Sequence, residues 1–243
     1  MGRKFEVRKA SMMKTGLMKS KLYSRFGKEI YVTARNGGAN PESNLALKHL
    51  IERAKKQQVP MDIIKRNIDK AEGAGGEEYH AIRYEGFGPS GSSFIVDTLT
   101  DNVNRTVSEV RNCFTKIGSK MGVSGSVEHM YNHLSYITVS GVDSEALLEL
   151  LLEADIEIQD LEETTDGVEI TGKGYDLDKI ETVLSDVSEA KVVSSESGWY
   201  PMETITLTGE DLEKYHKFMD MINDLDDVQN VYDNVQVEDE DNE

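Results

Sequence analysis

Apolar residues recur at helical spacing along the first third of the chain. Over residues 20–35, Leu22, Phe26, Ile30 and Ala34 fall four apart and Gly37-Gly38 supplies a stop, which predicts a helix. Asn40 reads as the cap of a second helix with Pro41 at its first position. Leu47, Leu50, Ile51 and Ala54 form the apolar stripe of that helix. Pro60 opens a third helix through Ile64, Ile68 and Ala71, ended by Gly73. The period then changes. Strands are predicted at 79–85 and 93–99, followed by a helix at 104–117 with Val107, Val110, Cys113, Phe114 and Ile117 on one side, and a short strand near 126–131. From 135 to 195 the order is strand, helix, strand, strand, helix, strand, the split βαβ order of ferredoxin-like folds. Residues 203–207, 209–225 and 228–237 add a strand, a helix and a strand.

Because the middle unit is complete by itself, the elements on either side of it must pair across it. The predicted fold class is α+β with three domains: an N-terminal helical bundle and two α/β sandwich domains of ferredoxin-like type, one inserted in the other. The expected boundaries are 1–73 for a basic helical domain with an N-terminal arm, 79–132 with 201–237 for the discontinuous α/β domain, and 133–200 for the inserted one. Residues 74–78, Ala-Gly-Gly-Glu-Glu, read as a linker, and the acidic tip 238–243 is expected to be disordered.

Charge changes the picture. The chain of 243 residues carries a net −18, which taken alone argues against a polyanionic partner. The distribution says otherwise. Residues 1–70 hold 17 Lys and Arg against 6 acids, a balance of +11, and the remainder carries −29. A basic module joined to an acidic body offers one face to a polyanion and repels it elsewhere. The expected phosphate contacts are Arg3, Lys4, Arg8, Lys9, Lys14, Lys19, Lys21 and Arg25, joined by Arg53, Lys55, Lys56, Lys65 and Arg66. Few aromatics intersperse these positions, so backbone contact rather than base stacking is expected to dominate. The sole cysteine, Cys113, excludes an internal disulfide framework and suits a reducing cytoplasm. No apolar run approaches the roughly 20 residues of a membrane helix.

Two stretches offer candidate chemistry. Gly86-Phe-Gly-Pro-Ser-Gly91 matches G-x-G-x-x-G, but a dinucleotide site needs a helix directly after the third glycine, and here a β-branched apolar run follows. The glycines then serve turn geometry. In Thr100-Asp-Asn-Val-Asn-Arg-Thr106, Asp101, Asn102, Asn104 and Thr106 suit helix capping, while Arg105 at a helix N-terminus suits a phosphate; both readings stand. Gly86, Gly88, Gly91, Asn102, Asn104 and Arg105 together make a candidate functional loop set. His129 and His133 lack a third ligand nearby, and Cys113 lies among apolar neighbours. No catalytic constellation, cofactor, metal or small-molecule substrate is expected, and the chain is expected to act as a monomer.

The stretch Tyr84-Glu-Gly-Phe-Gly-Pro-Ser-Gly91, followed by Leu99-Thr-Asp-Asn-Val-Asn-Arg-Thr106, resembles the YebC/PmpR family. The likeness continues through Gly118-Ser-Lys-Met-Gly-Val-Ser-Gly-Ser-Val127, Asn40-Pro-Glu-Ser-Asn44 and Glu52-Arg-Ala-Lys55, so it covers essentially the whole chain. The start, Met1-Gly-Arg-Lys4 with Lys21-Leu-Tyr-Ser-Arg-Phe-Gly27, looks most like the YeeN branch, with Phe5 where the family has Trp. The resemblance implies a helical N-terminal domain with two α/β domains, and a cytoplasmic regulator of transcription that binds DNA. Mitochondrial relatives are translational activators, which implies the alternative of a ribosome-associated translation factor on ribosomal RNA or tRNA.

Overall fold

The computed structural model describes residues 19–73 and 75–236, with Lys19 and Ser20 described by their backbone alone. The predicted arm and acidic tip lie outside the described residues. The described residues form two compact units. One joins 36–58 to 133–198; the other joins 19–35 and 59–132 to 199–236.

Three helices come first: α1 (Lys19–Gly37), α2 (Leu45–Lys56) and α3 (Met61–Glu72). Their apolar stripes are those the spacing predicts, with Ile30, Ala34, Leu47, Ala54 and Ile64 buried. The start of α2 differs from expectation. Asn40 does not cap it: its side chain accepts from the Glu42 amide at 3.0 Å and its carbonyl from the Asn44 amide at 3.0 Å, closing a separate turn. Asn44 is the cap, accepting from the Leu47 amide at 3.1 Å. Proline at 41 suits that turn as well as it suits a first helical position, which is why the residue types point to Asn40.

In the second of the two units, β1 (His80–Phe87) and β2 (Ser93–Thr100) form an antiparallel hairpin around a 3-10 turn at Pro89–Gly91. Helix α4 (Val103–Lys116) follows, then β3 (Lys120–Met121). Helix α7 (Gly209–Asn223) and strand β9 (Val228–Asp233) come from the far end of the chain. The sheet order is β3-β1-β2-β9. Helices α4 and α7 bury Val110, Phe114, Phe218 and Ile222 on one face of this sheet, against Tyr84, Phe94 and Val231. Phe218 is wholly buried, with its ring 4.4 Å from that of Phe94 and 4.7 Å from that of Phe114. Each such side chain contributes roughly 2–3 kcal/mol of burial. The opposite face is covered by Val127 and Tyr131 packed on Ile95, with Trp199 beside them.

Two details correct the pattern reading. Residues 126–130 are not a strand: Glu128–Met130 is a 3-10 turn, and the edge strand is the two-residue β3. The expected strand 203–207 shrinks to β8 (Ile205–Thr206), which pairs in parallel only with β10 (Val235–Gln236). The segment 228–237 breaks at Asn234, whose side chain accepts from the Ser93 amide at 2.9 Å. A buried polar side chain that satisfies a neighbouring strand interrupts the ladder without changing the apolar pattern.

The inserted domain of the first unit contains β4 (Tyr131–Ser140), α5 (Ser144–Glu153), β5 (Ile158–Thr164), β6 (Gly167–Lys173), α6 (Leu177–Ser185) and β7 (Lys191–Pro201). Its sheet order is β5-β6-β4-β7, the split βαβ arrangement. Leu147, Leu151, Ile180 and Leu184 of the helices pack on Ile137, Val139, Val168 and Ile170 of the sheet. Asp143 caps α5 by accepting from the Glu145 and Ala146 amides, each at 3.0 Å. The protein is thus α+β, with N-terminal helices followed by two α/β sandwich domains, one inserted in the other.

Candidate nucleic-acid interface

The predicted phosphate contacts meet different fates. Arg3, Lys4, Arg8, Lys9, Lys14 and the side chain of Lys19 lie outside the described residues. On α1, Lys21 donates to the Asn223 carbonyl at 3.1 Å and pairs with Asp224. Arg25, four residues on, is 8% exposed, and its Nη2 has no hydrogen-bond partner among the described residues. Burial pushes its pKa down to about 10, against the opposing pull of Glu29. On α2, Lys56 donates to the carbonyls of Val192 and Val193 at 2.9 and 3.2 Å, fixing it to β7. Arg53 Nη1 lies 3.6 Å from Glu181 Oε2. Lys55 on α2, and Lys65 and Arg66 on α3, are exposed, and their side chains make no ion pair among the described residues.

Glu181 belongs to a buried polar node. His49 Nδ1 lies 3.1 Å from its Oε2, and both side chains are over nine-tenths buried. Burial works to raise the Glu181 pKa, but the polar side chains of His49 and Ser195 and the charge of Arg53 outweigh it and hold the carboxyl below its ordinary range. Asp178 brings a third candidate ligand atom within 4.8 Å of the other two. The Arg53 guanidinium already supplies the positive charge that a divalent cation would bring, so the donor set suits an ion pair linking α2 to α6 better than a metal.

The candidate loops are occupied by structural work. A Cβ on Gly86 would lie 2.6 Å from the Phe114 ring, so the strand can pass the helix only without a side chain there. Gly91 holds φ +80 at the exit of the 3-10 turn, and the Gly88 amide donates to Ser92 O at 2.7 Å to close it. The segment after Gly91 is β2, not a helix. Asn102 caps α4 by accepting from the Arg105 amide at 3.1 Å, while the carbonyl of Asn104 accepts from Ser108 Oγ at 2.8 Å. Arg105 donates to Asp101 at 2.8 Å and to Asp227 at 2.5 Å. Those two carboxylates raise its pKa well above the usual value.

Asp227, 3% exposed, gathers the motif. One oxygen accepts from Lys28 at 2.9 Å; the other accepts from Arg105, from Thr106 at 2.8 Å and from Thr100 at 3.0 Å. Burial alone would raise its pKa, but these donors hold it well below the carboxylate range. Adjacent acids such as Asp226-Asp227 ordinarily read as solvated charge. The structure instead makes Asp227 the acceptor that ties α1, α4 and β2 together.

Glu85 was also missed. It is 2% exposed and accepts from the amides of Gly125 and Val127, each at 2.6 Å, and of Glu128 at 2.9 Å. Burial again opposes ionisation, and the three amides outweigh it to keep the pKa low. The available signal was an acid amid the buried run of a strand, facing a glycine-rich segment with spare amides. This carboxylate fixes a loop whose tip residue, Val123, is 78% exposed. Beside the loop, Phe87 is 42% exposed and pairs in register with Lys120. Gly86 and Met121, the preceding pair, face the helices, so Phe87 and Lys120 face the helix-free side.

Comparison with known proteins agrees with the pattern of motifs. The model for the TACO1/YebC N-terminal domain matches residues 3–74, and that for the second and third domains matches residues 79–235. A protein of Alteromonas mediterranea named "probable transcriptional regulatory protein" is 47% identical over 96% of this chain and 98% of its own length. A relative with the same descriptive name from Vibrio cholerae serotype O1 is 48% identical over 98% of this chain and all of its own. The crystal structure of a conserved hypothetical protein from Aquifex aeolicus superposes with a TM-score of 0.69 at 34% identity, covering 93% of this chain and 94% of that one. Since the two domain models match in order and the likeness runs nearly end to end, the chain belongs to the TACO1/YebC family.

Proposed function

We propose that this protein is a regulator of gene expression that acts by binding nucleic acid, DNA foremost, through its basic N-terminal segment. The observation that carries this reading is the exposure of Lys55, Lys65 and Arg66, without ion pairs among the described residues, on a segment of net +11 joined to a body of net −29. The regulator names of close relatives support it. Exposed, unpaired cations gain most from displacing phosphate counterions, and the acidic body disfavours other docking faces. Affinity is then set by backbone contact, with little readout of base sequence. The Asn102–Arg105 turn positions helices in this reading, since its arginine is committed to Asp101 and Asp227.

The test is the salt dependence of binding to a short duplex. If about six phosphates are neutralised, log K falls against log[salt] with a slope near −5. A flat response overturns the reading.

A second reading rests on a different observation. Phe87, exposed beside Lys120 on a helix-free sheet face, gives an aromatic ring next to a cation, the chemistry suited to stacking an unpaired base and holding its phosphate. It favours a ribosome-associated translation factor contacting RNA. Replacing Phe87 by Ala would lower affinity for single-stranded RNA and leave duplex binding unchanged if this reading holds.

A further inference from the structure

We propose that the acidic turn at residues 223–227 stands in for phosphate on the basic face of α1, and that nucleic acid displaces it. The proposal rests on the nucleic-acid reading above and concerns the regulation of that same surface. Lys21, Arg25 and Lys28 recur at i, i+4 and i+7 and so share one side of α1. That side meets the end of α7 and the turn after it. Lys21 takes the Asn223 carbonyl and the Asp224 carboxylate, and Lys28 takes the Asp226 carbonyl at 2.8 Å and the Asp227 carboxylate. Carboxylates at the negative end of a helix dipole present lysine with the same chemistry as a phosphodiester strand.

The contact is built to release. Asp224 is 79% exposed, so losing Lys21 returns it to water at little cost. Asp227 keeps Thr100, Arg105 and Thr106 when Lys28 leaves, so no buried carboxylate is stranded. The gain lies on α1. A buried guanidinium nitrogen without a partner is unfavourable, and Arg25 holds one in the docked state; a phosphate would satisfy it. Six basic residues within the first 19 of the chain precede this face in sequence. A permanent ion-pair anchor is the competing account, and it predicts no effect of nucleic acid on the turn.

Two measurements on the full chain separate them. Asp224→Asn and Asp220→Asn change the charge equally, but the Asp220 side chain, one helical turn earlier, is exposed and makes no hydrogen bond or ion pair among the described residues. The proposal expects Asp224→Asn to bind a 20-base-pair duplex about threefold more tightly than Asp220→Asn. It also expects hydrogen exchange across residues 219–228 to quicken when duplex is added to the native chain. Parallel titrations with single-stranded RNA of equal length show which nucleic acid does the displacing. Equal affinities of the two variants, or unchanged exchange in a chain that binds, would overturn the masking and leave the nucleic-acid reading standing. If the native chain binds neither nucleic acid at low salt, both fall together.

Discussion

Two buried carboxylates, Asp227 and Glu85, hold together the segments that the sequence motifs mark, and both are tested by their isosteric amides. Asp227→Asn keeps the shape but loses the charge that four donors share, and places an amide N–H where lysine and arginine expect an acceptor. It should destabilise the protein by about 3 kcal/mol, read as a lower urea midpoint at neutral pH. The pH dependence follows from the direction of the shift. The folded pKa of Asp227 is depressed, so its stabilisation is fully present above the ordinary carboxylate pKa of about 4 and is lost as pH falls through the folded value. The stability gap between native chain and variant should therefore be constant above about pH 5 and narrow below about pH 4. Glu85→Gln leaves one oxygen for three amides and should cost about 2 kcal/mol. Because that loss falls on the Gly125–Glu128 amides, their hydrogen exchange should quicken more than that of β1.

At the level of elements, local signals located most of the fold, and failed where a polar side chain replaced one hydrogen-bonding partner by another. Apolar spacing placed α1, α3, α4 and α7 within a residue or two, because each buries one continuous stripe. It placed the βαββαβ order of the inserted domain because its strands and helices complete their own core. It put the cap of α2 at Asn40 where the structure has Asn44, since both are asparagines beside a turn. Replacing each in turn by Ala decides the matter: Asn44→Ala should cost about 1 kcal/mol or more and Asn40→Ala a few tenths, measured by chemical unfolding. Pattern reading also could not place the break at Asn234 or the turn at 128–130, because amide capture by Asn234 and Glu85 acts over 140 and over 40 residues of sequence. The site was legible to the same degree. Composition found the basic segment, but only packing tells Lys55, Lys65 and Arg66 from Lys21 and Lys56, whose partners come from strands and turns more than 130 residues away. The glycine motif was legible as turn geometry, and Gly86→Ala, driven against Phe114, should cost roughly 1–3 kcal/mol.

For the molecule as a whole, charge asymmetry converts into a count of phosphate contacts that thermodynamics can read. Each phosphate released from a lysine or arginine lowers the salt slope on duplex DNA by about 0.9. Lys55→Gln, Lys65→Gln and Arg66→Gln together remove three exposed cations with no internal partner among the described residues, so the fold should be unaffected while the slope drops by roughly 3. Lys56→Gln removes the same charge from the same helix but breaks bonds to Val192 and Val193. It should leave the slope nearly unchanged, because that cation is already spent on backbone carbonyls. A chain in which all four substitutions reduced the slope equally would be responding to net charge alone, and the distinction between presented and engaged lysines would be lost. A chain in which only the first three did so would bind through named side chains. Slope and stability measured on these variants therefore separate a long-range field from contacts by particular side chains, since a field depends on total charge whereas a contact depends on which nitrogen is free.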